Sequence, residues 1–328
     1  MNFVHSIHSI VPAAMALLAS LASLAAQDAP QFTGILAQTN AEMLLKFTAA
    51  TGQNYRIDYS TDLLRWDPLI TLRGASSNQH LDSAAPFLAA RYYRTVQLSD
   101  TNSLTGDHLV TADGDVIIHP INHASFVMTW NGVTIYNDPV GGAARYAGLP
   151  RADLILVSHD HGDHYDSATL TAVKGTNAVI LAPKAVYTLL PAGLKAITTV
   201  LTNSASTNLL GLTVDAIPAY NLTQSYHPKG VGNGYLLTIG GKRIYISGDT
   251  EDIPEMRALQ NIDVAFVCVL LPYTMSVPKA VSAVREFRPR VVFPYHTFSS
   301  GSPTTDLNAL KRGIGTDLGI EVRQRKWY

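Results

Sequence analysis

Short hydrophobic runs recur along the chain in two different patterns. Between residues 31 and 98, apolar and polar positions alternate in runs such as NYRIDYS, PLITLR and RYYRTVQL, and turn sequences such as TGQN and GASSNQ separate them. A period of two, with Tyr, Ile, Val and Thr in the runs, predicts short antiparallel strands. This part of the chain is therefore predicted to form a small β-sandwich domain with bounds 27–100.

The pattern changes after the polar stretch LSDTNSLTGDH, 98–108, which is rich in turn-forming residues and predicts a linker. Beyond it, more apolar runs such as DLILVS, AVILAP, RIYISGD and VAFVCVLL alternate with helical candidates such as SATLTAVKG, PKAVYTLLPAG and PKAVSAVREFRP. Strands intermingled with helices predict an α/β layered domain over residues 101–328. Domains of this class place chemically active side chains at the ends of strands.

Composition narrows the class of protein without identifying it. A length of 328 residues fits two domains, and a hydrophobic fraction of 47% is typical of a packed protein. The 24 basic residues balance 25 acidic ones, so the chain lacks the positive excess of a nucleic-acid-binding protein, and no nucleic-acid partner is expected. The single cysteine, Cys268, is interpreted as a buried apolar side chain. His80, His108 and His119 are interpreted as isolated surface or loop histidines.

The N-terminus predicts export. Residues 10–26 form an uncharged run dominated by Ala and Leu, with small residues around Ala25 and Ala26 and polar Gln27 after them. This pattern is typical of a cleaved signal peptide, 1–26, and is too short and too rich in Ala and Ser for a membrane span. The segment before the run has no Lys or Arg, which departs from the usual signal. The predicted location is secreted or periplasmic in a bacterium, without a stable membrane span after cleavage, and the oligomeric state stays open.

The densest group of polar side chains follows the apolar run LILV. The stretch VSHDHGDHYD, 157–166, holds three histidines and three aspartates. In a loop that leaves a strand, His159 and His161 can direct their ring nitrogens at one point, and Asp163 and His164 can face a second point beyond a glycine turn. Imidazole and carboxylate groups are ligands that zinc selects, and a bound metal offsets the cost of burying them. This spacing disfavours the alternative of a solvated acidic loop that merely carries histidines.

The array resembles the metal-binding motif of the metallo-β-lactamase-fold superfamily, and further motifs follow in the order of that superfamily. INHASFVMTWNGVTIYNDPVGG precedes the array, and AYNLTQSYHPKGVGNGY, IYISGDTEDIPEM and FPYHTF follow it. The resemblance covers about residues 107–328 and is to the lactonase-like metal-dependent hydrolases of the superfamily. It implies an α/β fold, a four-layer αββα sandwich, preceded here by the small all-β sandwich. That first domain resembles an accessory module of exported bacterial proteins, on YRIDYSTDLLRW and the closing RYYR strand.

The resemblance also implies a site for two divalent ions, with zinc favoured and manganese or iron as alternatives. The implied ligands are His159, His161 and His227 on the first ion, Asp163, His164 and His296 on the second, and Asp249 between the two. His123 and Asp138, at strand ends, are expected to support these ligands.

One implied ligand departs from the commoner pattern of the family. Many relatives carry the third histidine of the first ion at a strand end, where this chain has Tyr220 and Asn221. The nearest histidine is His227, followed by the glycine-rich VGNGY, which is interpreted as turn geometry that can fold His227 back. If His227 were not a ligand, the first metal site would be incomplete.

The implied function is an exported metal-dependent hydrolase that acts on a small ester, lactone or related acyl substrate. A metal-bridged hydroxide would attack the substrate, and Asp163, the expected catalytic residue, would orient it and accept its proton. Two alternatives stay open: a phospholipase D-like phosphodiesterase of the same superfamily, and a non-catalytic surface-binding protein. A serine hydrolase is disfavoured because the chain has no GxSxG motif.

Overall fold

The computed structural model describes residues 15–18, 30–100, 103–302, 304–325 and 327, and the chain divides into two compact units. The first unit ends at Val110 and the second begins at Thr111, beyond the boundary expected at residue 100. Apart from the strand Met15–Leu18, the predicted signal peptide lies outside the described residues. None of the helices in the described ranges is long and apolar enough to cross a membrane.

The first unit is all-β, as its alternating pattern predicts. Its strands form two sheets, ordered β1-β7-β4-β5-β8 and β2-β3-β6, and a 3₁₀ turn, Ala85–Phe87, precedes β7. The predicted linker is wrong in its last residues, because the chain is already extended in β8 from Gly106. The strands are β1 (Met15–Leu18), β2 (Gln31–Ala37), β3 (Met43–Thr48), β4 (Asn54–Ser60), β5 (Asp67–Arg73), β6 (Asn78–Asp82), β7 (Ala90–Gln97) and β8 (Gly106–Thr111).

Alternate residues of β3 show how this unit builds its core. Met43, Leu45 and Phe47 are buried on one face of the strand. Each such side chain contributes about 1.5–3 kcal/mol on full burial. The interpretation of His80 and His108 as surface residues is wrong: both are buried, in β6 and β8. The ring of His108 lies 2.8 Å from the Thr71 hydroxyl, which compensates its burial.

The described residues of the second unit form two sheets and six short helices. One sheet has the order β9-β10-β11-β12-β13-β14, and the other runs from β15 to β21 in sequence order. A 3₁₀ turn, Ala143–Tyr146, follows β11. The strands of the first sheet are β9 (Gly114–Asn122), β10 (Ser125–Trp130), β11 (Val133–Asn137), β12 (Ala152–Leu156), β13 (Lys174–Ala182) and β14 (Thr198–Val200). Those of the second are β15 (Ser206–Leu209), β16 (Leu212–Ala219), β17 (Gly232–Ile239), β18 (Lys242–Ile246), β19 (Val264–Cys268), β20 (Val291–Tyr295) and β21 (Glu321–Val322). His119 therefore lies in a strand, β9, and not in a loop.

Capping side chains and prolines set the ends of several helices. They are α1 (Ser167–Val173), α2 (Lys184–Leu189), α3 (Ala192–Lys195), α4 (Pro254–Arg257), α5 (Val277–Phe287) and α6 (Leu307–Ile314). The Asp306 carboxylate accepts a hydrogen bond from Ala309 N at 2.8 Å and so caps α6. The single helix expected over PKAVYTLLPAG is two helices, since Leu190 is extended before Pro191, as the proline ring requires.

The two sheets of the second unit pack face to face. Phe126 of β10 stacks on Phe266 of β19 with ring centroids 4.2 Å apart, and the Tyr235 hydroxyl donates to Val157 O at 2.8 Å. Helices α1–α3 lie in the chain between strands of the first sheet, and α4–α6 lie between strands of the second. The predicted four-layer αββα fold is confirmed. Strands β11–β14 and β18–β21 are parallel, so the carboxyl ends of neighbouring strands lie at one edge of each sheet.

Candidate metal centre

The side chains predicted as metal ligands meet at the carboxyl ends of strands from both sheets. The histidine–aspartate array follows β12, while Asp249 follows β18 and His296 directly follows β20. Ligand atoms lie within 4.8 Å of one another in three overlapping groups: His159, His161 and His227; His159, His164 and Asp249; and His123, Asp163, His164 and His296. All seven predicted ligands belong to these groups.

The first group is a triangle of imidazole rings. The ring centroid of His159 lies 4.6 Å from that of His161 and 5.0 Å from that of His227, and the remaining side is 5.0 Å. His159 and His227 are buried, whereas His161 is exposed. The structure thus brings His227 to the two histidines with which it was predicted to act.

Asp249 lies between the first group and the rest of the site. Its Oδ2 is 3.3 Å from His227 Nε2 and 3.2 Å from His296 Nε2, and its Oδ1 is 3.4 Å from His164 Nε2. On the outer side, Asp163 Oδ2 is 3.5 Å from His296 Nε2 and 3.8 Å from His164 Nε2. One carboxylate therefore faces histidines of both predicted ion sites.

The chemistry of these groups fits a bound cation. The Nε2 atoms of the buried histidines and Oδ1 of Asp249 have no hydrogen-bond partner within the described ranges. Leaving a buried polar atom unpaired costs about 1–3 kcal/mol. Imidazole nitrogens and carboxylate oxygens that converge in this way are the ligand types that a divalent metal such as zinc selects. The histidines concerned are His159, His164, His227 and His296.

The pKa shifts differ between the groups: burial dominates at His159, whereas the Asp249 carboxylate raises the pKa of His164 and that of His296, the latter to about 9. Burial lowers the pKa of His159, which favours the neutral imidazole with a free lone pair. Burial alone would raise the pKa of Asp249, but His296 and His164 hold it well below its usual value, so the carboxylate is anionic. At Asp163, burial again favours a higher pKa, but the contacts with His123 and His296 outweigh it and lower the pKa.

Asp138, expected as a supporting residue, holds two of the ligands in orientation. Its Oδ2 lies 2.8 Å from His164 Nδ1, and its carboxylate accepts hydrogen bonds from the Ser158 amide and hydroxyl, each at 2.7 Å. The Ser158 hydroxyl also lies 3.0 Å from His159 Nδ1. Because the Nδ1 sides of both rings are engaged, their Nε2 atoms face the cluster. Sequence reasoning missed Ser158, whose only signal was its position directly before His159.

His123, the other expected supporting residue, lies on the outer side of the site. Its Nε2 is 3.0 Å from Asp163 Oδ2, and its ring centroid is 3.8 Å from that of His296. Its carbonyl oxygen accepts a hydrogen bond from His296 N at 3.2 Å. His123, Asp138 and His296 all have a positive φ, at 54°, 42° and 49°. These residues place their side chains from backbone conformations that L-residues rarely adopt.

The interpretation of VGNGY as a turn is wrong, because Gly232 and Gly234 lie in β17. A Cβ atom at Gly234 would lie 2.7 Å from Ser247 O, and one at Gly232 would lie 3.4 Å from His159 Cβ. These glycines allow close approach of neighbouring backbone and of a predicted ligand. The loop that carries His227 also makes hydrogen bonds with Asn221 and Glu251, and sequence reasoning missed both residues.

Comparison with known proteins agrees with this geometry. A family model described as the beta-lactamase superfamily domain matches residues 118–296, more than half of the chain. The chain belongs to the metallo-β-lactamase-fold superfamily of metal-dependent hydrolases. The predicted superfamily and the predicted hydrolase class are thus confirmed, and the matched span includes every predicted ligand.

Individual members of the superfamily match most of their own length. A UPF0173 metal-dependent hydrolase of Thermococcus onnurineus is 30% identical over 211 residues, which is 62% of this chain and 93% of the relative. One from Geobacillus sp. is 31% identical over 227 residues, or 61% and 97%. A solved structure described as a metal-dependent hydrolase of Parabacteroides distasonis is 38% identical with a TM-score of 0.61, covering 68% of this chain and 99% of that one. A metallo hydrolase of Ignicoccus hospitalis is 25% identical with a TM-score of 0.56, covering 64% and 95%.

Proposed function

We propose that this metal-dependent hydrolase uses two divalent ions, with zinc favoured, to cleave a small uncharged ester or lactone. The observation that carries the proposal is the convergence of seven predicted ligand side chains, five of which have a buried Nε2 or Oδ1 atom without a hydrogen-bond partner in the described part of the chain. The triangle of His159, His161 and His227 would hold one ion. Asp163, His164 and His296 would hold the other, and Asp249 faces both.

The residues of the chain divide the chemistry between them. When bound, such ions polarise a substrate oxygen and lower the pKa of water, which supplies a nucleophile at neutral pH. Asp163 is the catalytic residue of the proposal, because its side chain is 50% exposed and so reaches the solvent side of the site. Its carboxylate orients the attacking water, accepts the proton and returns it to the leaving oxygen. His123 holds this carboxylate in place through the 3.0 Å contact.

The lining of the cleft beside the first histidine triangle supports an uncharged substrate. Besides site residues, the described lining consists of five small, apolar or aromatic residues, one amide and one carboxyl group: Ala219, Tyr226, Pro228, Val231, Gly232, Asn233 and Asp160. No lysine or arginine is in that lining. The nearby Lys229 ammonium lies 3.2 Å from a Glu255 oxygen. A phosphodiester anion is usually recognised by cationic side chains, so this lining favours the ester or lactone over the phosphodiesterase alternative.

Elemental analysis combined with a substrate panel tests the proposal. We expect one to two zinc ions per chain after reconstitution, and turnover of lactones or carboxylic esters in preference to phosphodiesters. Turnover of phosphodiesters alone would favour the phosphodiesterase instead. Substoichiometric metal after reconstitution, with no turnover of any substrate, would support the non-catalytic binding protein and contradict the proposal.

A further inference from the structure

We propose that Asn221 is a positioning residue that sets His227 for the first metal ion, an inference that rests on the proposed role of His227 as a ligand. Strand β16 ends at Ala219, and the chain leaves it through Tyr220 and Asn221. Asn221 Oδ1 accepts two hydrogen bonds from His227, one from the backbone N and one from Nδ1, both at 2.8 Å. Asn221 N donates to His227 O, also at 2.8 Å. Three hydrogen bonds between these two residues close the loop 221–227.

The neighbours of the amide fix which of its ends faces His227. Asn221 Nδ2 donates to Tyr273 O at 2.9 Å, and a carbonyl oxygen can only accept. The backbone N–H of His227 can only donate, so the amide oxygen must face it. Both partners therefore require the same orientation of the Asn221 amide, with its oxygen towards His227 and its nitrogen towards Tyr273 O.

This orientation also selects the tautomer of His227. An amide oxygen has no proton to give, so in the neutral imidazole the proton must lie on Nδ1. The lone pair is then on Nε2, which is buried, has no hydrogen-bond partner among the described residues and lies 3.3 Å from Asp249 Oδ2. Asn221 thus sets both the position of the ring and the nitrogen that is free to bind a metal.

A second contact holds the same loop from the other side. The buried Glu251 carboxylate accepts hydrogen bonds from Thr223 N at 3.2 Å, from the Thr223 hydroxyl at 2.8 Å and from Gln224 N at 3.1 Å. Lys279 pairs with it at 2.9 Å. Because Glu251 follows Asp249 by two positions, the loop that carries His227 is tied to the segment that carries Asp249. The loop is therefore fixed at its middle as well as at its ends.

Asn221 itself offers only an amide, which is not a ligand type that zinc selects. Its contribution is instead to hold His227, six residues later, within 5.0 Å of the His159 and His161 rings.

Zinc affinity tests the proposal directly. Asn221→Leu removes the acceptor, and we expect the affinity for the weaker of two bound zinc ions to fall about 10- to 100-fold, as for other residues that orient metal-binding histidines. The measurement is competition with a chromophoric chelator, together with metal analysis of the full chain. Asn221→Asp keeps the acceptor that faces His227 but loses the hydrogen bond to Tyr273 O, so its zinc affinity should fall less than that of Asn221→Leu.

Asn78→Leu is the matched control. Asn78 has the same 9% exposure as Asn221 and also uses both ends of its amide, which bind Ala75 N and Ala75 O at 2.8 and 2.7 Å. It lies in the first unit, so its loss should reduce stability and leave zinc affinity unchanged. This control separates a positioning effect from a general loss of packing.

Two outcomes distinguish this inference from the function on which it rests. If Asn221→Leu binds zinc like wild type while His227→Ala loses one ion, the positioning role is overturned. If His227→Ala also keeps both ions, the ligand assignment itself fails. Should Asn221→Leu not fold, Asn221→Ser replaces it, since the shorter hydroxyl cannot reach both His227 donors. Equal zinc affinities of the Ser and Asp variants would then contradict the proposal.

Discussion

Asp58 in the first unit and Asp249 in the second are both buried, yet their surroundings differ in kind. Asp58 has no exposed surface, and two arginines satisfy it: Arg56 Nε lies 2.5 Å from Oδ1 and Arg94 Nε 2.9 Å from Oδ2. Asp249 is surrounded by histidines, and its Oδ1 has no hydrogen-bond partner in the described ranges. The first carboxylate is compensated by the chain itself, whereas the second fits a cation that the chain does not provide.

The chemistry of the neighbours explains the difference. Guanidinium groups are always charged and only donate, so they neutralise a carboxylate permanently. Imidazoles are close to neutral at physiological pH and offer lone pairs, so a set of them around a carboxylate attracts metal. Burial of an aspartate alone therefore does not indicate function. The type of its neighbours separates a structural ion pair from a candidate metal centre.

The comparison predicts its largest effect, a loss of activity, for His161→Ala, because this variant removes a predicted metal ligand. Metal polarisation is worth several kcal/mol of transition-state stabilisation, and 1.4 kcal/mol corresponds to a factor of ten, so kcat/KM should fall by about 10³-fold or more. His161 is exposed, and the melting temperature of the metal-free protein should change by no more than about 2 °C. Steady-state kinetics and thermal unfolding measure the two quantities. Unchanged turnover would remove the metal mechanism.

A smaller effect, on stability, is expected for Asp58→Asn. Breaking a fully buried ion pair costs about 3–5 kcal/mol, but both arginine side chains are 31% exposed, so we expect a loss of about 2 kcal/mol in the free energy of unfolding. The loss should be the same with zinc and with a chelator, because Asp58 depends on arginines alone. Urea unfolding under both conditions provides the measurement. A metal-dependent loss would break the distinction between the two aspartates.

An effect of similar size, on turnover and not on stability, is expected from loss of the support that His123 gives Asp163. His123→Leu removes the group 3.0 Å from the carboxylate, and kcat should fall about 10- to 100-fold, as expected for a residue that orients a catalytic group. KM should change less, and metal content should be retained. His123→Gln, whose amide can still donate, should recover most of the activity. Equal rates for the two variants would show that the contact does not position Asp163.

The parts of the site that sequence reasoning predicted are local or carry a motif. His159 to His164 occupy one loop, and Asp249 and His296 sit in motifs at strand ends. Ser158, Asn221 and Glu251 were missed because their roles depend on tertiary contacts that no spacing encodes; Glu251, for example, bonds Thr223 across 28 positions.

In the fold, the hydrophobic periodicity predicted which segments are strands and which are helices. It did not predict where a helix is interrupted. The division into α2 and α3 depended on one proline, and the burial of His80 and His108 depended on partners in other strands. The signal peptide, the exported location and the lactonase-like subgroup stay predictions.

The positive φ angles of His123, Asp138 and His296 have a consequence for the evolution of the chain. A left-handed backbone costs a non-glycine residue about 1 kcal/mol or more, and glycine would relieve that strain at each of these positions. Selection for stability alone would thus favour glycine at these positions, although glycine would remove the side chain that contributes to the site. At each of these positions the chain thus combines an unfavourable backbone conformation with a side chain that contacts a predicted ligand or serves as one.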